Sequence, residues 1–261
     1  VINKMSDVMR FNFGNPSSTH SYGRQSKSLI ELSRKRIASH FNVSAAEIVF
    51  TSGGTEADNL VLRSAVRDLG VTEIITSKIE HHAVLHAIDQ LKVEYNIDVK
   101  YLDVNIDGDV NLKQLESLLQ FDAKQLVSLM HVNNEIGNIL DLKKVAKLCK
   151  ANNALFHSDT VQSIGHYKLD LLDIPIDYLA ASAHKFHGPK GVGFVFLRKN
   201  SGLRASIFGG EQERGLRAGT EAIHNIIGMD EALAIAYDNL ETESTLIKSL
   251  KVYFIEQLQS I

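Results

Sequence analysis

The sequence predicts an α/β fold in which a mainly parallel sheet is sandwiched between helices. Short β-rich runs alternate with helical periodicity along most of the chain, the pattern of strand–helix–strand units. A polar or glycine-containing loop separates most strand-like runs from the helix that follows. The chain has 261 residues, 44% hydrophobic and 23% charged, enough to bury a substantial core without a disulfide or metal staple.

The elements follow in order. Residues 26–41 place Leu29, Ile30, Ile37, Ala38 and Phe41 on one helical stripe. Residues 47–51 read as a strand, closed by Ser52-Gly53-Gly54, and a helix is predicted over 55–69. Thr55-Glu56-Ala57-Asp58 fits a capping box at its start. A strand over 73–77 precedes a helix over 82–91. A strand over 99–104, a turn at Asp107-Gly108 and a helix over 111–119 come next. A strand over 126–132 leads to a helix over 141–151, then strands over 154–157, 177–181 and 191–198. A long helical pattern runs from 221 to the end. Strand order is not readable from such patterns, but ligands of these sheets bind beyond the carboxyl ends of the strands.

Composition narrows the function classes. Twenty-eight Lys and Arg against 31 Asp and Glu give a net charge of -3, which argues against a broad nucleic-acid surface. One cysteine excludes an internal disulfide framework and points to a reducing compartment. No apolar run reaches the roughly 18–20 residues of a membrane span, and no secretory pattern opens the chain. A cytoplasmic α/β enzyme or binding protein is expected, with no membrane or nucleic-acid partner. The first residue is Val1, so a trimmed N-terminus is expected.

Five polar segments fall just after predicted strands, and loops that follow parallel strands share one rim of the sheet. Ser52-Gly53-Gly54-Thr55 offers approachable backbone N–H groups, a hydroxyl and a helix start, which suit a phosphate; a glycine-eased turn capped by Thr55 fits the same residues. It is neither a Walker A loop nor a G-x-G-x-x-G fingerprint. Lys185 follows an apolar strand and precedes a Gly188-Pro189 turn; a lysine at a desolvated strand end loses charge stability and becomes nucleophilic, whereas a snorkelling surface lysine is the ordinary alternative. Asp159 follows a predicted strand, 26 residues earlier, where it can pair with a protonated ring nitrogen or simply cap the next segment. Lysine, acid and phosphate cup together are the set that pyridoxal phosphate (PLP) requires. His81 suits a flat ring stacked over a planar cofactor. His82 and His86 have a chelating spacing, yet no H-E-x-x-H glutamate or clear third ligand accompanies them, so no metal site is assigned. The missing G-x-S-x-G elbow argues against Ser-His-Asp hydrolysis.

The sequence resembles the class V aminotransferase-like, PLP-dependent cysteine desulfurases. The resemblance rests on residues 14–20 (GNPSSTH), 50–59 (FTSGGTEADN), 80–81 (EH), 131–137 (HVNNEIG), 159–163 (DTVQS), 182–191 (SAHKFHGPKG) and 209–220 (GGEQERGLRAGT), in the family's order. It implies the fold type I (aspartate aminotransferase-like) large domain. It makes Lys185 the residue that carries PLP and moves protons, Asp159 the partner of the pyridinium nitrogen, and His81 the stacking ring. Asn134 and Gln162 would bond the cofactor's edge, and Gly54, Thr55, Ser182 and His184 its phosphate. Thr220 would reach the phosphate in a neighbouring subunit, implying a homodimer, while Asn15, His20 and Asn134 would line the substrate side. The implied reaction removes sulfur from L-cysteine, giving L-alanine and an enzyme persulfide for a sulfur-acceptor protein. Iron–sulfur assembly, tRNA thiolation and other routes stay open.

The resemblance also sets expectations about the ends. The family begins with a further strand and continues into a small domain that carries the nucleophilic cysteine. Residues 1–240 are therefore expected to be a trimmed PLP-binding domain and 241–261 the start of a linking helix, so that the chain is inactive alone. Cys149 shares a helical stripe with Leu142, Val145 and Ala146, which suits a buried structural thiol and not the nucleophile. A related selenocysteine or cysteine lyase, or a non-catalytic truncated paralogue acting as a scaffold, would keep the same cup.

Overall fold

Two helices precede the sheet in the computed structural model, which describes residues 1–119 and 123–259. They are α1 (Ile2–Phe11) and α2 (Ser21–His40). There follow β1 (Ile48–Thr51), α3 (Gly54–Leu69), β2 (Glu73–Ser77), α4 (His82–Tyr95), β3 (Asp98–Leu102) and α5 (Leu112–Leu118). The second half contains β4 (Gln125–Ser128), α6 (Leu142–Ala151), β5 (Leu155–Asp159), β6 (Tyr178–Ser182), β7 (Gly193–Leu197), α7 (Ile223–Asp238) and α8 (Leu240–Gln259).

The strands form one sheet in the order β1-β7-β6-β5-β4-β2-β3. β7 is antiparallel to both its neighbours, while β6, β5, β4, β2 and β3 pair in parallel. Because successive side chains on a strand point to opposite faces, the apolar strand runs feed two cores. Ile48, Phe50, Val127, Phe156, Phe194 and Phe196 pack beneath residues of α2, α6 and α7, including Ile37, Cys149 and Leu233. Val49, Ile74, Leu126, Tyr178 and Val195 pack against α3 and α4 through Leu62, Val84 and Ile88. Both faces are covered, as a parallel sheet requires.

Several predicted elements change in detail. β3 stops at Leu102, and Val104 makes only an isolated bridge to Val110. β4 stops at Ser128, although Leu129 and His131 still donate N–H bonds to the carbonyls of His157 and Asp159 (3.2 and 3.0 Å). The capping box at Thr55 does not form. Gly53 is the cap residue, and Glu56 instead reaches back to accept the Ser52 N–H at 2.8 Å. The long helical pattern from 221 comprises α7 and α8, and α8 has no buried residue. The last two residues of the expected linking helix, 260 and 261, lie outside the described residues. Among the described residues no helix is long and apolar enough to cross a membrane.

Candidate active site

The carboxyl ends of β1, β2, β4, β5 and β6 open on one cleft of about 220 Å³. At the end of β1, Gly53 has a φ of 151°, a conformation that favours glycine, and the chain turns there directly into α3. A Cβ at Gly54 would lie 2.5 Å from Val161 Cγ2, so this turn sits hard against the loop that follows β5. Gly193, opposite, would bring a Cβ to 2.2 Å from the Ala181 carbonyl. The first N–H groups of a sixteen-residue helix thus face the cleft with Thr55 exposed beside them.

The loop after β6 supplies the facing wall. Ala183–Phe186 is a 3₁₀ turn, closed by the Gly188 N–H on the Ala183 carbonyl at 2.9 Å. Ser182 Oγ and His184 Nδ1 are 2.9 Å apart, and both residues line the cleft with Lys185. Burial, followed by the charges of Lys185 and Lys190, holds His184 below the usual histidine range. Lys185 itself is exposed, not desolvated as the sequence reading expects, because its short turn leaves the side chain above the strand ends. His166 Nε2 lies 3.0 Å from the Lys185 carbonyl and anchors that turn.

His81 caps α4: its Nδ1 accepts the Ala83 N–H at 3.1 Å, which leaves Nε2 to carry the proton of a neutral ring. In the adjoining loop, buried Asn133 accepts the N–H groups of Glu135 and Ile136 and donates to the Ile79 carbonyl, so its neighbour Asn134 is the one presented to the cleft. Gln162 lines the same space and, among the described residues, its amide makes no hydrogen bond.

Asp159 lies at the floor, 5% exposed, with Oδ1 accepting the Val161 N–H at 2.9 Å. The capping and site roles proposed for it are therefore compatible. Burial, then the charge of Asp58, pushes its carboxyl up to about 7. Asp58 itself, on α3, is pushed up to about 8 by burial alone. Glu80 is also pushed up to about 8, mainly by burial, although it accepts from Ser77 Oγ (2.6 Å) and the Met130 N–H (2.8 Å). His157, beside them on β5, is driven down to about 4 by burial. Sequence patterns alone do not reveal this buried acid cluster. The available signal was an aspartate set between Ala57 and Leu60 on the face of α3 that turns to the sheet.

Three predicted residues stand elsewhere. Thr220 lines a different, smaller cavity with Ser52, Glu213 and Arg217. Asn15 Oδ1 accepts the Ser17 N–H, and His20 Nδ1 caps α2 by accepting the Gly23 N–H at 3.1 Å; neither residue lines the cleft. His82 and His86 stack with ring centroids 5.0 Å apart on α4, and among the described residues no group of three potential metal ligands occurs. Cys149 is buried in the core, and burial pushes its thiol up to about 12.

Comparison with known proteins matches residues 1–261 to the family model described as aminotransferase class V. A relative named putative cysteine desulfurase IscS 1, from Bacillus subtilis (strain 168), is 41% identical over 99% of this chain and 68% of its own length. A solved NifS-like protein superposes with a TM-score of 0.95 at 37% identity, covering 99% of this chain and 72% of the other. A solved structure of SspA in complex with cysteine gives 0.84 at 33% identity, over 89% of this chain and 68% of the other. The chain spans about two thirds of the length of the curated relatives it matches.

Proposed function

The chain belongs to the class V aminotransferase family, and from that premise we propose that it is the cofactor-binding part of a PLP-dependent cysteine desulfurase. One observation carries this reading. Lys185, Asp159 and the N-terminus of α3, which come from three different strand ends, converge on a single cleft.

The residues present suit PLP. The Gly54 position has no room for a Cβ against Val161, so backbone N–H groups stand where side chains would otherwise intrude. Ser182 and His184 add donors beside them. Among the described residues Asp159 is a buried carboxylate with no cationic partner in contact, and a ring N–H⁺ would supply one. When bound, PLP supplies an electrophilic aldehyde and an electron sink for charge developing at the substrate Cα.

In this reading Gly54, Thr55, Ser182 and His184 hold the phosphate, Asp159 the ring nitrogen, and Lys185 Nζ the aldehyde carbon. His81 packs on the ring with an orientation fixed by its helix-capping bond. Asn134 and Gln162 hold the ring's edge. Lys185 Nζ is also the exposed amine able to hold or deliver a proton at the substrate carbon. The substrate proposed is L-cysteine: its thiol sulfur passes to a protein thiol, giving L-alanine and a persulfide. Cys149 is buried away from the cleft, so that thiol belongs to a segment or partner beyond these 261 residues. Asn15 and His20 are proposed to meet substrate, and Thr220 to reach the phosphate site of a second copy in a homodimer.

The test is absorption spectroscopy on PLP addition, followed by borohydride reduction and peptide mapping. A yellow species that reduces onto Lys185, and is lost in Lys185→Ala, is the expected result. Label scattered over surface lysines would overturn the reading.

A further inference from the structure

His157 faces Asp58, which lines the cleft, in a way the cofactor roles above do not use. His157 Nε2 lies 3.3 Å from Asp58 Oδ1, both residues are at most 1% exposed, and among the described residues neither atom has another hydrogen-bond partner. On its other side, His157 Nδ1 lies 2.9 Å from Ser128 Oγ. A bare carboxylate oxygen and a bare imidazole nitrogen at this distance repel each other, so one proton must lie between them. His157 is two residues before Asp159 on the same strand, so both side chains point to the same face of the sheet, toward α3.

We propose that Asp58 is a neutral carboxylic acid donating to His157 Nε2, that His157 Nδ1–H donates to Ser128, and that this uncharged relay positions Asp159 and keeps a second negative charge away from it. The proposal rests on the cofactor reading only in what Asp159 is for.

The alternative puts the proton on His157 Nε2 and leaves Asp58 ionised. That would bury a carboxylate with no cation in contact among the described residues, facing Asp159 at the end of β5 and Glu80 from the loop before α4. The other titratable groups around this floor are His81 at the start of α4, His131 after β4 and Lys185 lining the same cleft. Lys185 and His81 are exposed, and none of the three forms an ion pair with Asp58. Desolvation therefore favours the uncharged arrangement. The directions agree: burial raises Asp58 to about 8 and lowers His157 to about 4. Asp58 is the charge acting most strongly on Asp159, so neutralising it makes Asp159 easier to ionise and better able to hold a cationic ring nitrogen.

The test has two arms on the full chain. Nitrogen NMR of histidine-labelled, cofactor-free protein reads the ring state of His157, assigned by its loss in His157→Gln. A neutral ring protonated on Nδ1 from pH 6 to 8, retained in Asp58→Asn, is expected; an imidazolium or an Nε2–H ring overturns the proposal. In the second arm, Asp58→Ala should weaken PLP binding about tenfold, the scale of one lost buried hydrogen bond, and shift the pH midpoint of the bound cofactor's visible absorption. Asp58→Asn, which keeps a neutral donor, should restore both. Unchanged affinity and midpoint in the alanine variant would overturn the positioning role, and the asparagine variant alone decides the proton's place should the alanine protein not fold. Failure of the parent chain to bind PLP would sink the cofactor reading instead, while the NMR arm, which needs no cofactor, still decides where the proton sits.

Discussion

Arg34 and Glu213, 179 residues apart in sequence, are joined by a two-pronged buried ion pair at 2.6 and 2.7 Å. Glu213 Oε2 also accepts the Phe50 N–H at 2.8 Å, and Arg34 donates to the Ile48 carbonyl and stands 4.3 Å from the Phe50 ring centroid. The pair therefore ties α2 and β1 to the loop before α7. It also holds that loop in an uncommon shape, since Glu213, Arg214 and Gly215 all have positive φ (48°, 59° and 77°). Arg217, four residues after Glu213, donates to Glu56 at 2.8 Å, and Glu56 in turn accepts the Ser52 N–H. A continuous set of contacts runs from Arg34 to the β1–α3 turn, with Thr220 at its edge.

Removing Glu213 leaves the buried Arg34 with only the partly exposed Glu31, 3.1 Å from its Nε, to balance its charge, which costs about 3 kcal/mol. Glu213→Ala is expected to lose that much in urea unfolding. The double variant Arg34→Met, Glu213→Ala should recover a large share of it, because no charge is then stranded. Equal destabilisation in the single and double variants would show that the loop, and not the buried charge, carries the effect.

Gly54 offers a test of the phosphate cup that leaves every functional group in place. In Gly54→Ala the new Cβ would meet Val161 Cγ2 at 2.5 Å, and overpacking of this kind costs about 1–3 kcal/mol. Val161 lines the cleft, so any shift it makes to relieve the clash alters the cofactor's space. PLP affinity is expected to fall about tenfold and to return in Gly54→Ala, Val161→Ala, where the second change removes the obstacle. Isothermal titration of the three proteins measures this. An undiminished affinity in the single variant would mean that the cup lies elsewhere.

Much of the sheet and of this cleft was legible in the chain because both leave local marks. Phe194, Val195 and Phe196 make an apolar run, and Ser182, Asp159 and Gly54 each sit where a strand pattern breaks. The same run could not reveal that β7 is antiparallel, since a strand buried on both faces carries one pattern in either direction. The exposure of Lys185 was illegible for a related reason: burial at a strand end depends on what covers the rim, which is not written in the adjacent residues. Asp58 and Glu80 were invisible as a cluster because they approach Asp159 from separate elements. Asn133 and Asn134 are identical in sequence terms, and only the fold separates the turn-former from the residue that faces the cleft.

The buried acids make the cofactor-free chain sensitive to mild alkali. In an unfolded chain Asp58, Glu80 and Asp159 would lose their protons near pH 4. In the folded chain burial delays this to about 8, 8 and 7. Between those limits the folded state holds more protons than the unfolded one, so each rise in pH favours unfolding. His40, His131, His157 and His184 act in the opposite sense, since all four are lowered on folding, but their effect is complete once the unfolded histidines are neutral at about pH 7. Pairing with Arg217 lowers the Glu56 carboxyl and pairing with Arg67 lowers that of Asp68, and these contributions are lost only in acid. Above pH 7 the buried carboxyls are left to act against folding. The melting temperature of the cofactor-free chain is therefore expected to fall between pH 7 and 8.5, and Glu80→Gln should flatten the slope by removing one of the three acids. A melting temperature that holds steady or climbs across that interval would show that Asp58, Glu80 and Asp159 release their protons without cost to the fold.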